Sequence, residues 1–391
     1  MKTPWIITQI ALSLLLWLPL LLLLISLLRK LLLRKRKAAG QFEADFAVIV
    51  TAYQQVDLID DVVFSILRND YNNYIIYVVA DNCDIGNITF DSDKVVLLRP
   101  ENVLASNVKS HFYAINNFRR AHNAITIIDS DNIVHKKYLS EINNVFRQGY
   151  NAVQGIRAAR NLNTSYARID EAGDIYYRYI DRKLLFEAGS SSSLAGSGMA
   201  FKTDLFVECM KDFDKTGAGF DKVLQYEIVN RNERIAFSEA AIVYDGKTSK
   251  SDQLVKQRAR WMNAWFRYWI LGLRLFVKSV ISLSWNRFAF SLMMLRPPLF
   301  ILCFLGLFMS VISLFVTTGG IAVWAIAFII FTAMFFKALF YFKAGSVVFK
   351  ALVYIPRFIY FLVLALFKAR GANKLSVATK HDVASIKKMN G

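Results

Sequence analysis

Ala124-Ile125-Thr126-Ile127-Ile128 runs straight into Asp129-Ser130-Asp131. An uncharged run rich in β-branched residues reads as a strand buried on both faces. The carboxylates that end it lie one residue apart on non-helical backbone, where both can face one cation and a diphosphate. Upstream the arrangement repeats. Phe46-Ala-Val-Ile-Val50 ends at Thr51-Ala52-Tyr53, Tyr74-Ile-Ile-Tyr-Val-Val79 ends at Ala80-Asp81-Asn82, and residues 94–98 read as another strand. Residues 58–67 and 107–120 have helical apolar spacing. Strands alternating with helices predict an α/β fold with a mostly parallel sheet, whose ligands sit beyond the C-terminal strand ends. Thr51, Ala52, Tyr53, Asp81, Asp129, Ser130 and Asp131 all fall at that edge. Asp91-Ser92-Asp93 shows the same triplet without a buried strand before it, so the strand carries the reading.

The 391 residues carry 48 Lys plus Arg against 30 Asp plus Glu, a net charge of +18. Residues 1–37 contribute +7 and residues 256–391 contribute +17, while residues 38–255 contribute −6. The base excess flanks apolar segments, which points to anionic lipid headgroups and away from nucleic acid. Residues 5–28 are uncharged and long enough to cross a ~30 Å hydrocarbon core. Arg29, Lys30, Arg34, Lys35, Arg36 and Lys37 follow, and they set that end in the cytoplasm. A basic cluster in place of a small-residue cleavage site predicts an uncleaved anchor rather than a signal peptide. Further spans are expected at about 290–316 and 321–341, joined by a turn at Thr317-Thr318-Gly319-Gly320.

The expected layout is an anchor and basic linker (1–37), a cytoplasmic catalytic domain (38–261) and an interfacial amphipathic helix (262–285). Two transmembrane helices (286–345) follow, then an interfacial, re-entrant or third C-terminal membrane segment with a basic tail (346–391). Three cysteines with no close pair exclude a disulfide scaffold, and the four histidines show no metal-ligand spacing.

Other positions admit two readings each. Asp81 can accept hydrogen bonds from a nucleobase edge or cap a turn. Lys109 can touch phosphate or be a surface charge. Gly196-Ser197-Gly198 can bring backbone close to a ligand, or form a plain turn after a flexible Ser190–Ser193 run. Gln257-Arg258-Ala259-Arg260-Trp261 opens a basic, aromatic approach to the membrane, which is also what an interfacial anchor needs.

Taken in order, these pieces resemble the membrane-bound family 2 inverting glycosyltransferases of GT-A fold: the cellulose, chitin, hyaluronan and poly-N-acetylglucosamine synthases. The resemblance covers about residues 44–262. It implies a UDP-sugar donor, with N-acetylglucosamine or glucose as first expectation, and a carbohydrate or glycolipid acceptor. Thr51, Ala52, Tyr53, Asp81, Lys109, Asp129, Ser130, Gln257 and Arg260 are implied on the donor, with Mn²⁺ or Mg²⁺ on Asp131 and Asp129. Gly196, Ser197, Gly198 and Trp261 are implied at the acceptor, and Asp221 as catalytic base. Export of a polymer would call for a partner subunit or a homo-oligomer, because few spans are present. Two departures stand out: Gly219-Phe220-Asp221 replaces the family's Thr-Glu-Asp, and Gln54-Gln55 replaces Asn-Glu. They leave open an impaired homologue acting as a membrane scaffold or assembly subunit.

Overall fold

The structure, a computed structural model, describes residues 2–32, 42–86, 88–213, 219–316 and 318–372. The basic residues Arg34 to Lys37, Thr317 and the 373–391 tail lie outside them. Among the described residues eight strands form one sheet: β1 (Phe46–Tyr53), β2 (Tyr74–Asp81), β3 (Val95–Leu98), β4 (Ala124–Asp129), β5 (Ile133–Val134), β6 (Ala152–Ala159), β7 (Met199–Lys202) and β8 (Ile235–Asp245). Their order is β3-β2-β1-β4-β7-β6-β8-β5. The pairs β1–β2, β1–β4, β2–β3 and β6–β8 are parallel, whereas β4–β7, β6–β7 and β5–β8 are antiparallel. The expected parallel sheet therefore describes the β3-β2-β1-β4 half, and the other half is mixed.

The central strands are apolar throughout because both faces are covered, and alternation sorts their side chains. Ala47, Ile49, Tyr77, Val79, Ile125 and Ile127 join one core with Leu18 and Leu22 of the Lys2–Leu32 helix and Ala338 and Leu339 of the Thr318–Tyr341 helix. Phe46, Val48, Val50, Ile76, Val78 and Ile128 join the opposite core with Val62, Val63, Leu139 and Ile142. One face of the sheet thus shares its core with helices apolar enough to enter a bilayer, and the other is closed by ordinary amphipathic helices.

Among the described residues four helical segments are long and apolar enough to cross a membrane: Trp5–Leu32, Leu299–Val316, Gly320–Tyr341 and Ser346–Phe367. The span expected from residue 290 starts at Leu299 instead. Phe290 is fully buried in the domain core, and Arg296-Pro297-Pro298 separates the Trp285–Leu295 helix from the Leu299–Val316 helix, since proline removes donors from a helix. The four-residue turn at 317–320 is also corrected, because helix resumes at Thr318. Gly320 is set by packing: a Cβ there would lie 2.5 Å from the Ser313 Oγ and 2.7 Å from the Gln9 Oε1. Residues 346–367 bend at a 3₁₀ turn, Leu352–Tyr354. Beyond it Ala365 and Ala369 pack on Val255, Ala259 and Met262.

Gln9 joins three of these helices, accepting from the Ser313 hydroxyl at 3.0 Å and the Trp324 indole N–H at 3.1 Å. Gln9→Leu leaves the buried Trp324 donor unpaired. Thermal unfolding in detergent should show a loss of roughly 1–2 kcal/mol, and an unchanged midpoint would count against this joint.

Candidate active site

Sheet register assembles the carboxylate edge. Thr51 pairs with Asp129 across β1–β4, and Tyr53 pairs with Asp81 across β1–β2. Ala52 lies between them, and Ser130 and Asp131 continue the edge. The chain turns sharply where it leaves β1 and β2, with positive φ at Gln54 and Asn82. Asp81 is 1% exposed. One of its oxygens accepts from the Leu104 amide at 2.9 Å and the other from the Ala105 amide at 2.8 Å. A nucleobase can reach Asp81 only by sharing these oxygens or displacing that loop. The same loop leads to Ser106, which caps the Asn107–Asn116 helix and places exposed Lys109 on its first turn.

The Gly196-Ser197-Gly198 segment meets the carboxylates directly. The Ser197 hydroxyl accepts from the Asp129 amide at 3.0 Å. Buried Gln154 holds this loop: its Nε2 donates to the carbonyls of Gly155, Ser197 and Gly198 at 3.0–3.1 Å, and its Oε1 accepts from the Ala195 amide at 2.8 Å. Gly198 has φ +65°, and a Cβ there would meet Val243 Cγ2 at 2.8 Å, so close strand approach requires glycine. The Ser190–Ser193 run, expected to be flexible, is buried instead, with Ser190 and Ser191 hydroxyls donating to Asn286. Gln154→Leu should remove about 1–3 kcal/mol of stability. An unchanged unfolding midpoint would show that Gln154 does not hold the loop.

Several residues at this edge escaped the sequence reading. Asn132 donates to Asp131 at 2.8 Å and to Asp245 at 3.3 Å. Asp245, the last residue of β8, pairs with Arg157 at 2.8 Å. Burial works against the Arg157 charge, but Asp245, Asp129 and Asp174 outweigh it and hold its pKa up. The available signal was Ile242-Val243-Tyr244-Asp245, a third apolar run ending on a carboxylate.

Among the described residues no group of three or more His, Cys, Asp or Glu side chains could hold a metal. Asp129 and Asp131 supply two carboxylates, and the buried Asn132 Oδ1 beside them has no hydrogen-bond partner. A cation that also takes substrate phosphates needs only one or two carboxylates, so this donor set fits Mn²⁺ or Mg²⁺ as a shared rather than a closed site.

Asp221 lies in the first turn of the Phe220–Asn230 helix, with its side chain 18% exposed and Lys222 Nζ at 3.4 Å. Gly219 before it has φ +100°, and a Cβ would lie 2.9 Å from Tyr268 Cε2 and 3.1 Å from Ala264 Cβ. Phe220 is buried against His111, ring to ring at 5.2 Å. Burial pushes His111 down to about 3, so it is neutral at physiological pH. The departure from Thr-Glu-Asp thus has a physical cause: only glycine fits the first position, and an apolar ring fills the second.

Residues 257–261 belong to one unbroken helix, Ser251–Ile281, which passes through the boundary expected at 261/262. Gln257 accepts from the Thr248 hydroxyl at 3.3 Å. Burial pushes the Arg260 guanidinium down. Arg258, not anticipated as a site residue, pairs with Asp170 and lies 4.0 Å over the Trp261 ring. Trp261 remains 45% exposed. Its described partner is Arg258, not a residue of the carboxylate edge.

A strand-end carboxylate edge on a half-parallel sheet, with membrane-type helices sharing its core, defines a class that sequence comparison names. Residues 44–264 match the family described as "Glycosyltransferase like family 2", and the chain belongs to that family. Among solved structures it is similar to the mannosyltransferase PcManGT from Pyrobaculum calidifontis, determined in complex with GDP-Man and Mn²⁺. The TM-score is 0.53 at 16% identity, covering 93% of this chain and 97% of that one. TarS 1–349 of S. aureus aligns with a TM-score of 0.35 at 14% identity, over 59% of this chain and 65% of that one. The fold is that of the GT-A glycosyltransferases. No curated protein matches the sequence.

Proposed function

We propose that the chain transfers a sugar from a nucleotide sugar to a hydroxyl of a growing polysaccharide or glycolipid at the cytoplasmic membrane face, with inversion at the anomeric carbon. The observation that carries this reading is the bond from the Asp129 amide to Ser197, which ties the Gly-Ser-Gly loop to a two-carboxylate strand end in a family 2 chain. Asp129 and Asp131 are the residues that would hold Mn²⁺ or Mg²⁺, which when bound would offset charge on the departing diphosphate. Lys109 and Arg260 add positive charge near that group. Asp221 accepts the proton of the acceptor hydroxyl as it attacks from the face opposite the nucleotide. Trp261 offers an acceptor sugar the ring face that Arg258 leaves open. The Ser251–Ile281 helix and residues 346–367 lie along the membrane interface, and the protein works in the cytoplasmic membrane, alone or with a partner subunit or second copy.

UDP is the first nucleotide to test, carrying N-acetylglucosamine or glucose. The mannosyltransferase neighbour adds GDP-mannose to the panel. One observation favours a second reading, an impaired homologue serving as scaffold or subunit: both Asp81 oxygens hold backbone amides. Nucleoside diphosphate release by the full-length protein, with Mn²⁺ and membrane lipids present, separates the two. Release from one donor of the panel is expected. Folded protein that releases nothing from any donor would favour the scaffold.

A further inference from the structure

The carboxylate edge is stapled to the far side of the sheet by a very short strand. β5 has two residues and pairs antiparallel with β8, Ile133 against Tyr244 and Val134 against Val243. One step further along that register, Asn132 stands opposite Asp245, the last residue of β8. The backbone N–H of Asn132 donates to the Asp129 carbonyl at 3.0 Å, which closes a turn over Asp129-Ser130-Asp131. A two-residue strand adds little stability of its own. What it does fix is the residue just before it.

The Asn132 side chain is fully buried. Its Nδ2 carries two hydrogens, and it donates to Asp131 at 2.8 Å and to Asp245 at 3.3 Å. Asp245, 7% exposed, is held in turn by Arg157 at 2.8 Å. A chain of contacts therefore runs from Arg157 through Asp245 and Asn132 to Asp131. The amide stands between two carboxylates that would otherwise face each other as like charges. Its other end shows what this arrangement costs: Oδ1 is buried without a hydrogen-bond partner among the described residues. An unpaired buried acceptor is unfavourable, and a leucine of similar shape would avoid it. Asn132 is therefore useful here for its donors, and the shorter of its two bonds goes to Asp131.

We propose that Asn132, anchored by Asp245, is a positioning residue for the transfer, fixing the Asp131 carboxylate in the orientation that takes the divalent ion. Partners that hydrogen-bond a ligating carboxylate orient it and tune its affinity. The proposal rests on the ion site of the transferase reading above and adds the residues that would make Asp131 an effective ligand.

The test is Mn²⁺ binding to metal-stripped, full-length protein in detergent, read from loss of the free-ion electron paramagnetic resonance signal. UDP or GDP is present, and the nucleotide-only titration is subtracted. No sugar is transferred, so the readout is independent of turnover. Asn132→Leu should weaken Mn²⁺ binding about 10–100-fold, the usual cost of removing such an outer partner. Asn132→Asp keeps an oxygen in place but loses both donors, and it should bind Mn²⁺ more weakly than wild type as well. Unchanged Mn²⁺ affinity in a folded Asn132→Leu protein would overturn the proposal, even with a lower metal-free unfolding midpoint, because Asn132 would then be a structural amide alone. Affinity kept by Asn132→Asp and lost by Asn132→Leu would also overturn it, since the side chain would then hold the ion through its own oxygen. Wild-type protein that takes up no Mn²⁺ beyond the nucleotide alone would overturn the ion site itself, a failure of the transferase reading distinct from the other two. If Asn132→Leu does not fold, the smaller Asn132→Ser takes its place under the same criteria.

Discussion

Asp221→Asn should lower the rate of sugar transfer by about 10²–10⁴-fold, the usual contribution of a general base, and leave donor binding unchanged. The amide keeps the size and polarity of the carboxylate, so the first turn of the Phe220–Asn230 helix has no reason to move. What is lost is the ability to take a proton from the acceptor hydroxyl. The effect should therefore appear in kcat and not in donor affinity, which titration calorimetry measures separately. Full transfer by the Asn variant would remove Asp221 from the chemistry. Weakened donor binding with normal turnover would move it to the donor site.

Gly219→Thr, which restores the first residue of the family's usual triplet, should damage this protein. A β-branched residue at φ +100° costs about 1–3 kcal/mol in backbone strain, and overpacking against Tyr268 and Ala264 adds about 1–3 kcal/mol. Against a total stability of about 5–15 kcal/mol, this should appear as a large fall in the unfolding midpoint. Gly219→Ala, without the branch, should do less harm. A Gly219→Thr protein as stable as wild type would mean that the backbone here is not held at positive φ. The replacement of Thr-Glu by Gly-Phe is accordingly an accommodation to close packing on the Ser251–Ile281 helix, and it leaves Asp221 itself in place.

The half of the fold visible in sequence is the half where local chemistry and burial agree. Strands β1, β2 and β4 are near-continuous apolar runs ended by polar turns, as two covered faces require. The mixed half is hidden for physical reasons. β5 has two residues, β7 has four, and β6 is broken by a register shift around Gly155. None of these carries a periodic signal long enough to read. The carboxylate edge was legible because strand ends converge by topology alone. Asp81 was legible as an edge residue, but its partners Leu104 and Ala105 come from a loop that no pattern ties to it. The buried charges of residues 170–183 carry no local sign of burial, since acids and bases at helical spacing usually form a solvated face. Only packing against the sheet and the membrane-type helices takes them out of water.

The measurement that bears most directly on the account is nucleoside diphosphate release by metal-stripped protein titrated with Mn²⁺, run beside Asp131→Ala. Release from one nucleotide sugar should return with Mn²⁺ in the wild type and stay absent in the folded variant. Equal release by wild type and Asp131→Ala, with or without the ion, would contradict a transfer site built on the carboxylates at the end of β4.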